Sequence, residues 1–311
     1  MPGDATATQS RPEEWESAKL AKLFPIDESK YSLKGEELEF MQAQTGIEDE
    51  EELKRHILAV QAEAYAIFPY PCIRRFAFLD FRIGRLYGYD QLLKLGKERK
   101  DAIFLDMGCC FGNDIRYAAK GGFPMSQIVA TDLHAEYWGL GHKLFRSTQE
   151  SFPVKFIPGD VFAPSHVAVA PPIYAPPPES VPDLSGLTSL NPLRGHISAI
   201  HASAFFHLFD EAKQEHVARA LAGLLSAEPG SIIFGTHGSA PDKGAKSFSF
   251  GMNDEHSHTM FCHSPKSWKE LWDGQVFKKG SVSVETRLIE VAGLNQGQNG
   301  FYFLEWCVTR L

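Results

Sequence analysis

Hydrophobic positions along this chain fall into two textures. Between about Glu48 and Phe68, the residues Leu53, Ile57, Val60, Ala64 and Ile67 recur on one helical face, acids from Glu48 to Glu52 crowd the first turns, and Pro69 closes the run. A second short helix is expected after Pro71, holding Ile73, Phe76 and Phe78 with Arg74, Arg75 and Arg82 interleaved. Residues 1–95 thus read as a helical extension or cap with a flexible start. From Ala102 the texture changes. Short apolar runs (AIFLDMG, QIVATD, VKFIPGD, HISAIHAS, SIIFGTH) alternate with helical patterns at Asn113 to Lys120, Glu136 to Ser147 and Glu211 to Leu225. This alternation predicts an α/β domain over 96–311, with a parallel sheet and crossover helices. The closing runs SVSVETRLIEVAG and GFYFLEWCVTRL suit an antiparallel hairpin on one sheet edge.

One segment breaks the pattern. Residues 163–192 contain eight prolines, including Pro171, Pro172 and the triplet Pro176 to Pro178, where a third crossover helix would be expected. Proline at that density rules the helix out, leaving a lid over the site or a disordered excursion as the two readings.

Composition narrows the partners. Thirty-one Lys plus Arg face 39 Asp plus Glu, a net charge of -8 with no long basic run, which disfavours a nucleic-acid substrate. The five cysteines (Cys72, Cys109, Cys110, Cys262, Cys307) lack paired spacing, so reduced thiols and a cytoplasmic, soluble protein are expected. The first thirty residues carry charges throughout, and no stretch approaches the length of a membrane span.

The chemistry is concentrated at the strand ends. Asp106-Met107-Gly108-Cys109-Cys110-Phe111-Gly112 follows an apolar strand and leads into a helix; Gly108 and Gly112 permit a tight turn and close approach of a ligand. A dinucleotide turn would read G-x-G-x-x-G, which this is not. Asp106 would repel a pyrophosphate and attract an ammonium and a sulfonium, so S-adenosylmethionine is the expected cofactor. Asp132 closes the second strand and Asp160 the third. Asp132 is expected to accept both ribose hydroxyls. The Gly159-Asp160-Val161-Phe162 turn would offer a carboxylate and a backbone amide to adenine, with Leu133 and Phe162 sandwiching its face. Each acid taken alone is equally readable as a turn or cap residue.

The stretches YPCIRRFAFLDFRI (70–83), FLDMGCCFGNDIR (104–116), ATDLHAEYWGLGHKLF (130–145), ASAFFHLFD (202–210) and PGSIIFGTHG (229–238) resemble the fungal methyltransferases of meroterpenoid and related secondary-metabolite pathways, several of which esterify carboxylic acids. The likeness covers roughly residues 60–275, and the paired cysteines and the FHLF segment carry most of its specificity. It implies a Rossmann-like class I methyltransferase fold with a seven-stranded, mostly parallel sheet, S-adenosylmethionine as donor, and a polyketide-derived or terpenoid small-molecule acceptor. The proline-rich insert departs from the plainer members of the family and leaves the acceptor's identity open.

A carboxylate acceptor is already ionised at neutral pH and needs positioning, whereas a phenol or enol must lose a proton. Carboxylate methylation is the leading expectation, with phenol or enol methylation, or a non-methylating rearrangement on the same fold, as alternatives; a regulatory partner role is the non-enzymatic one. His207, His201 and His263 are the candidate catalytic residues, with His201 also a cofactor contact. Arg74, Arg75, His207, His237 and His263 are the candidate acceptor contacts, although the arginines could equally pair with Asp80 or Asp90 and fasten the cap. The run Asp254 to His258 followed by Cys262-His263 fits no closed metal pattern and reads as a polar loop lining the acceptor pocket, so no metal is expected. Cys109 and Cys110 read as small side chains beside the cofactor, not as nucleophiles. Besides a small-molecule acceptor, a homodimer is left open.

Overall fold

The computed structural model describes residues 21–177, 179–249, 257–291 and 300–311, and the chain divides into two units. One takes the described residues up to Phe81 together with Gly139–Thr148; the other takes Arg82–Trp138 with Gln149–Leu311.

In the first unit, α1 (Glu36–Thr45) ends at Gly46, whose left-handed backbone (φ 68°) lets its N–H reach the Gln42 carbonyl. Helix α2 (Glu50–Ile67) starts where the Asp49 carboxylate accepts the Glu52 N–H at 2.7 Å, with three glutamates in the first turn. It buries Leu53, Ile57, Val60 and Ala64, as the periodicity requires. The helix after Pro71 is shorter than its sequence pattern suggests. Helix α3 covers only Pro71–Arg74, and Phe76 at φ 57° turns the chain, so Phe76 and Phe78 reach the core from separate turns.

The second unit carries α4 (Tyr89–Glu98), β1 (Ile103–Met107), α5 (Asn113–Lys120), β2 (Ile128–Thr131), the start of α6 (Ala135–Leu144), β3 (Lys155–Phe156), β4 (Ile197–His201), α7 (Glu211–Leu224), β5 (Ile232–Ser239), β6 (Gly244–Ser249), β7 (Ser257–Cys262), α8 (Pro265–Trp272), β8 (Val282–Val291) and β9 (Phe301–Arg310). Seven strands form one sheet in the order β3-β2-β1-β4-β5-β9-β8. The first five are parallel; β9 runs antiparallel to β5 and β8 antiparallel to β9. The expected edge hairpin is therefore present, although its connection lies outside the described residues.

Both faces of the sheet are covered, which is why its central strands β1, β2 and β4 are buried at every position and mostly apolar. Ile103, Leu105, Met107, Val129 and Ile200 join Val217 and Leu221 of α7 on one side, while Phe104, Ile128, Ala130 and Phe234 join Leu92, Ile115 and Phe123 on the other. Full burial of one such side chain is worth about 1.5–3 kcal/mol. Strand order reverses direction between β1 and β4, so the crevice beyond their carboxyl ends is the place for a ligand.

The proline-rich insert is neither an excursion nor a helix. Val167, Leu187, Leu190 and Leu193 are buried in the same cluster as Val129, Ile200 and Val217. Asn191 ties the segment together, accepting the Ala168 N–H at 2.7 Å and donating to the Pro164 carbonyl at 2.9 Å. Irregular chain here covers the sheet as the missing crossover helix would, with side-chain amides meeting the backbone groups that a helix would have paired internally. Two further departures are structural. The third strand shrinks to two residues, and the segment read as a polar loop contains β7, paired antiparallel with β6 from Gly244↔Cys262 to Ser249↔Ser257. Asp254, Glu255 and His256 lie outside the described residues.

Candidate active site at the strand ends

Register puts the carboxyl ends of three strands side by side: Asp106 of β1 is opposite Ala130 of β2 and His201 of β4. Side-chain alternation then sends Asp106 and His201 to the same face as Phe104 and Ala199, and they meet. His201 Nδ1 lies 2.8 Å from Asp106 Oδ1, and both side chains are almost wholly buried. On its other edge His201 Nε2 lies 2.7 Å from Ser203 Oγ, which also accepts the Thr236 N–H at 3.3 Å. Burial opposes a charged imidazole, but the Asp106 charge and hydrogen bond, aided by Asp114, outweigh it and raise the His201 pKa above the ordinary histidine value.

The glycine turn is held by the next strand. Gly108 and Cys109 both donate to the Thr131 carbonyl, Cys110 takes φ 49°, and its N–H is accepted by Asp132 Oδ2 at 2.9 Å. Asp132 Oδ1 accepts the His134 N–H at 2.9 Å. Burial raises the Asp132 pKa against the pull of these two amides. Both oxygens therefore already carry one bond each, leaving their second lone pairs for a ligand. Gly108 needs to be glycine twice over: its φ is 75°, and a Cβ would lie 2.8 Å from the Phe205 ring. Leu133, beside Asp132, is 46% exposed, an apolar surface at the mouth of the turn. Asp160 is exposed and accepts the Phe162 N–H at 2.9 Å; Val161 is buried in the core, and Phe162 meets Phe209 edge-on at 5.0 Å.

Asp114, in the first turn of α5, was not singled out from sequence. Burial pushes its carboxyl up to about 6, with Asp106 adding to the rise and His201, the Ile83 N–H and Arg82 opposing it. Asp106 lies within electrostatic reach of both Asp114 and Asp132, and His201 lies within reach of Asp106 and Asp114.

The remaining histidines form a second group. His237 is 1% exposed and surrounded by Phe206, Trp268 and Trp306, with its Nδ1 accepting the Trp306 indole N–H at 2.9 Å. Burial, helped by His207 and His263, holds its pKa well below the usual value. A neutral ring sealed among aromatics is a core element, which corrects the expectation that His237 reaches an acceptor. His263 is also buried, with Nδ1 2.9 Å from Ser267 Oγ, and burial and Lys243 push it down to about 4. His207 is half-buried, and its Nδ1 accepts the Gly238 N–H at 3.1 Å, which fixes the ring's proton on Nε2.

The Asnovolin E/Chermesin D methyltransferase nvfJ of Aspergillus novofumigatus is 30% identical over 260 residues, 83% of this chain and 83% of that protein. The chain belongs to the fungal secondary-metabolite methyltransferases. Methyltransferase ausD of Penicillium brasilianum is 26% identical over 229 residues, covering 74% of this chain and 72% of its own. Residues 27–79 match the model described as the meroterpenoid methyltransferase N-terminal domain. Among solved structures, an S-adenosylmethionine dependent methyltransferase from Mesorhizobium loti is similar with a TM-score of 0.42 and 11% identity, over 73% of this chain and all of that one.

The strand ends of this methyltransferase fit a cationic adenosyl donor: Asp106 lies within electrostatic reach of Asp114 and Asp132, and the exposed Leu133 adjoins Asp132. Asp106 departs from its expected use, since one oxygen is committed to His201. Cys109 is buried, and desolvation together with Asp132 and Asp106 pushes its thiol well above the usual value, so it stays protonated. Arg74 and Arg75 belong to the first unit; Arg74 Nε donates to the Pro25 carbonyl at 2.9 Å and its guanidinium lies over the Phe24 ring. Among the described residues no group of three or more His, Cys, Asp or Glu could hold a metal, and no helix is long and apolar enough to cross a membrane.

Proposed function

We propose that the chain methylates an oxygen of a small-molecule secondary metabolite or its precursor, at a carboxylate, to give a methyl ester. The observation that carries the donor half of this reading is Asp106 at the end of β1, within electrostatic reach of both Asp114 and Asp132. Bound S-adenosylmethionine supplies a methyl on a cationic sulfur, and displacement by an oxygen in line leaves a neutral thioether. Asp132 and the Cys110 turn would hold the ribose end, Leu133 and Phe162 the adenine, with Asp160 and the Val161 backbone at the ring edge, and Gly108 and Gly112 would let the backbone close on the donor. His207, with its proton on Nε2, presents a donor rather than a base, which suits an acceptor that arrives ionised.

The reading includes a cytoplasmic setting; none of the five cysteines is in a disulfide. Incubation of the purified chain with methyl-labelled donor and a panel of candidate acids and phenols should yield labelled methyl esters. Donor retention without any labelled organic product would overturn transfer and leave a binding or rearrangement role.

A further inference from the structure

Ser203 was not picked out by sequence, yet it occupies the first turn after β4, beside the glycine turn, and is half-buried. Its hydroxyl oxygen receives the Thr236 N–H at 3.3 Å and faces His201 Nε2 at 2.7 Å. The other ring nitrogen faces Asp106, so the protons in this chain are coupled: Asp106, His201 and Ser203 form one line from the buried strand end to the half-exposed turn. With a charged imidazole, Nδ1–H donates to Asp106 and Nε2–H donates to Ser203. The serine oxygen then accepts two hydrogen bonds, and its own hydrogen can only point away from both. With a neutral imidazole the direction reverses: Ser203 donates to Nε2 and offers outward only a lone pair. The first state presents a donor that suits a carboxylate oxygen; the second presents an acceptor that suits a hydroxyl.

We propose that Ser203 is the residue that receives the acceptor's carboxylate, its outward O–H fixed by His201 and Thr236, with Asp106 and His201 acting as positioning residues behind it. This rests on the methyl-ester reading and names the side chain that selects a carboxylate over a hydroxyl. The groups facing His201 favour the charged state from two sides, Asp106 on β1 and Asp114 on α5, while β5 sets the Phe234 ring 5.2 Å from it. In its charged state His201 is a cation behind the hydroxyl, where it offsets the repulsion that neighbouring acids would impose on an anionic acceptor.

Calorimetry on the full chain saturated with S-adenosylhomocysteine tests this with benzoate and benzyl alcohol as matched probes. Wild type should bind benzoate saturably, and the affinity should fall as pH rises through the His201 pKa, because the serine hydrogen turns inward. Ser203→Ala should lose about tenfold or more in benzoate affinity, show a flat pH response and leave benzyl alcohol unaffected, while Ser203→Thr retains benzoate. No saturable benzoate binding to wild type, equal losses for both probes, or wild-type benzoate affinity in Ser203→Ala would overturn the proposal. So would loss of S-adenosylhomocysteine affinity in Ser203→Ala, since the serine would then support the donor turn. Failure of wild type to bind S-adenosylhomocysteine would instead remove the donor reading on which the inference stands.

Discussion

Asp132 holds Cys110 in a left-handed conformation by accepting its N–H at 2.9 Å through Oδ2, while Oδ1 takes the N–H of His134. One carboxylate at the end of β2 thus shapes the loop at the end of β1. Asp132→Ala should therefore act twice. Donor affinity should weaken by about 1–3 kcal/mol, and stability should fall by a similar amount as two amides lose their acceptor. Calorimetry with S-adenosylhomocysteine and thermal melts would check both; unchanged affinity would remove Asp132 from the donor site.

Asp114 gives stability a pH dependence of predictable sign. Its folded pKa, about 6, lies above its unfolded value, so the native state binds the proton more tightly. Its contribution is present at low pH and is lost as pH rises from about 4 to 6, by at most about 3 kcal/mol. Asp114→Asn should consequently raise the melting temperature at pH 7 to 8, give no gain near pH 4, and weaken donor binding by removing a negative charge. A variant less stable at pH 8 than wild type would contradict this.

Gly108→Ala places a Cβ at φ 75°, 2.8 Å from the Phe205 ring. The substitution should cost about 1–3 kcal/mol of stability and most of the donor affinity. Adding Phe205→Ala should recover only part of this, because the second change makes room without relieving the backbone. Full recovery would show that contact alone demands glycine.

His207→Ala should lower turnover while leaving S-adenosylhomocysteine affinity near wild type, since the ring's Nε2–H is directed away from the bond to Gly238. His237→Ala should do the opposite: it opens a cavity among Phe206, Trp268 and Trp306, strands the Trp306 indole N–H, and should cost about 2–4 kcal/mol of stability. Steady-state kinetics beside melting curves would separate the two. A His207 variant that only melts earlier is structural, and a His237 variant with a changed acceptor KM and normal stability would return that residue to the site.

Much of the architecture was written in local pattern. The period of Leu53, Ile57, Val60 and Ala64 specified α2, and the buried runs around Leu105, Val129, Ile200 and Ile233 specified parallel strands, because burial on one face or two leaves a direct trace in residue order. The Gly108 to Gly112 turn and the acid at the end of β2 were also visible, since positive backbone angles and strand ends restrict residue choice. Short strands β6 and β7 left no comparable periodicity within the polar stretch that holds them.

What only the tertiary structure decided is which side chains share a partner. Asp106 and His201 lie 95 residues apart and meet because β4 is inserted next to β1, a choice of strand order that no local pattern encodes. That neighbour pairs Asp106 with His201, brings Ser203 into the line, and opposes the burial that raises the Asp114 carboxyl to about 6. His237 and His207 differ by the same logic. His237 lies in β5 and His207 after β4, and one ring is enclosed by three aromatic residues while the other is only half-buried, because environment and not residue type sets what an imidazole does.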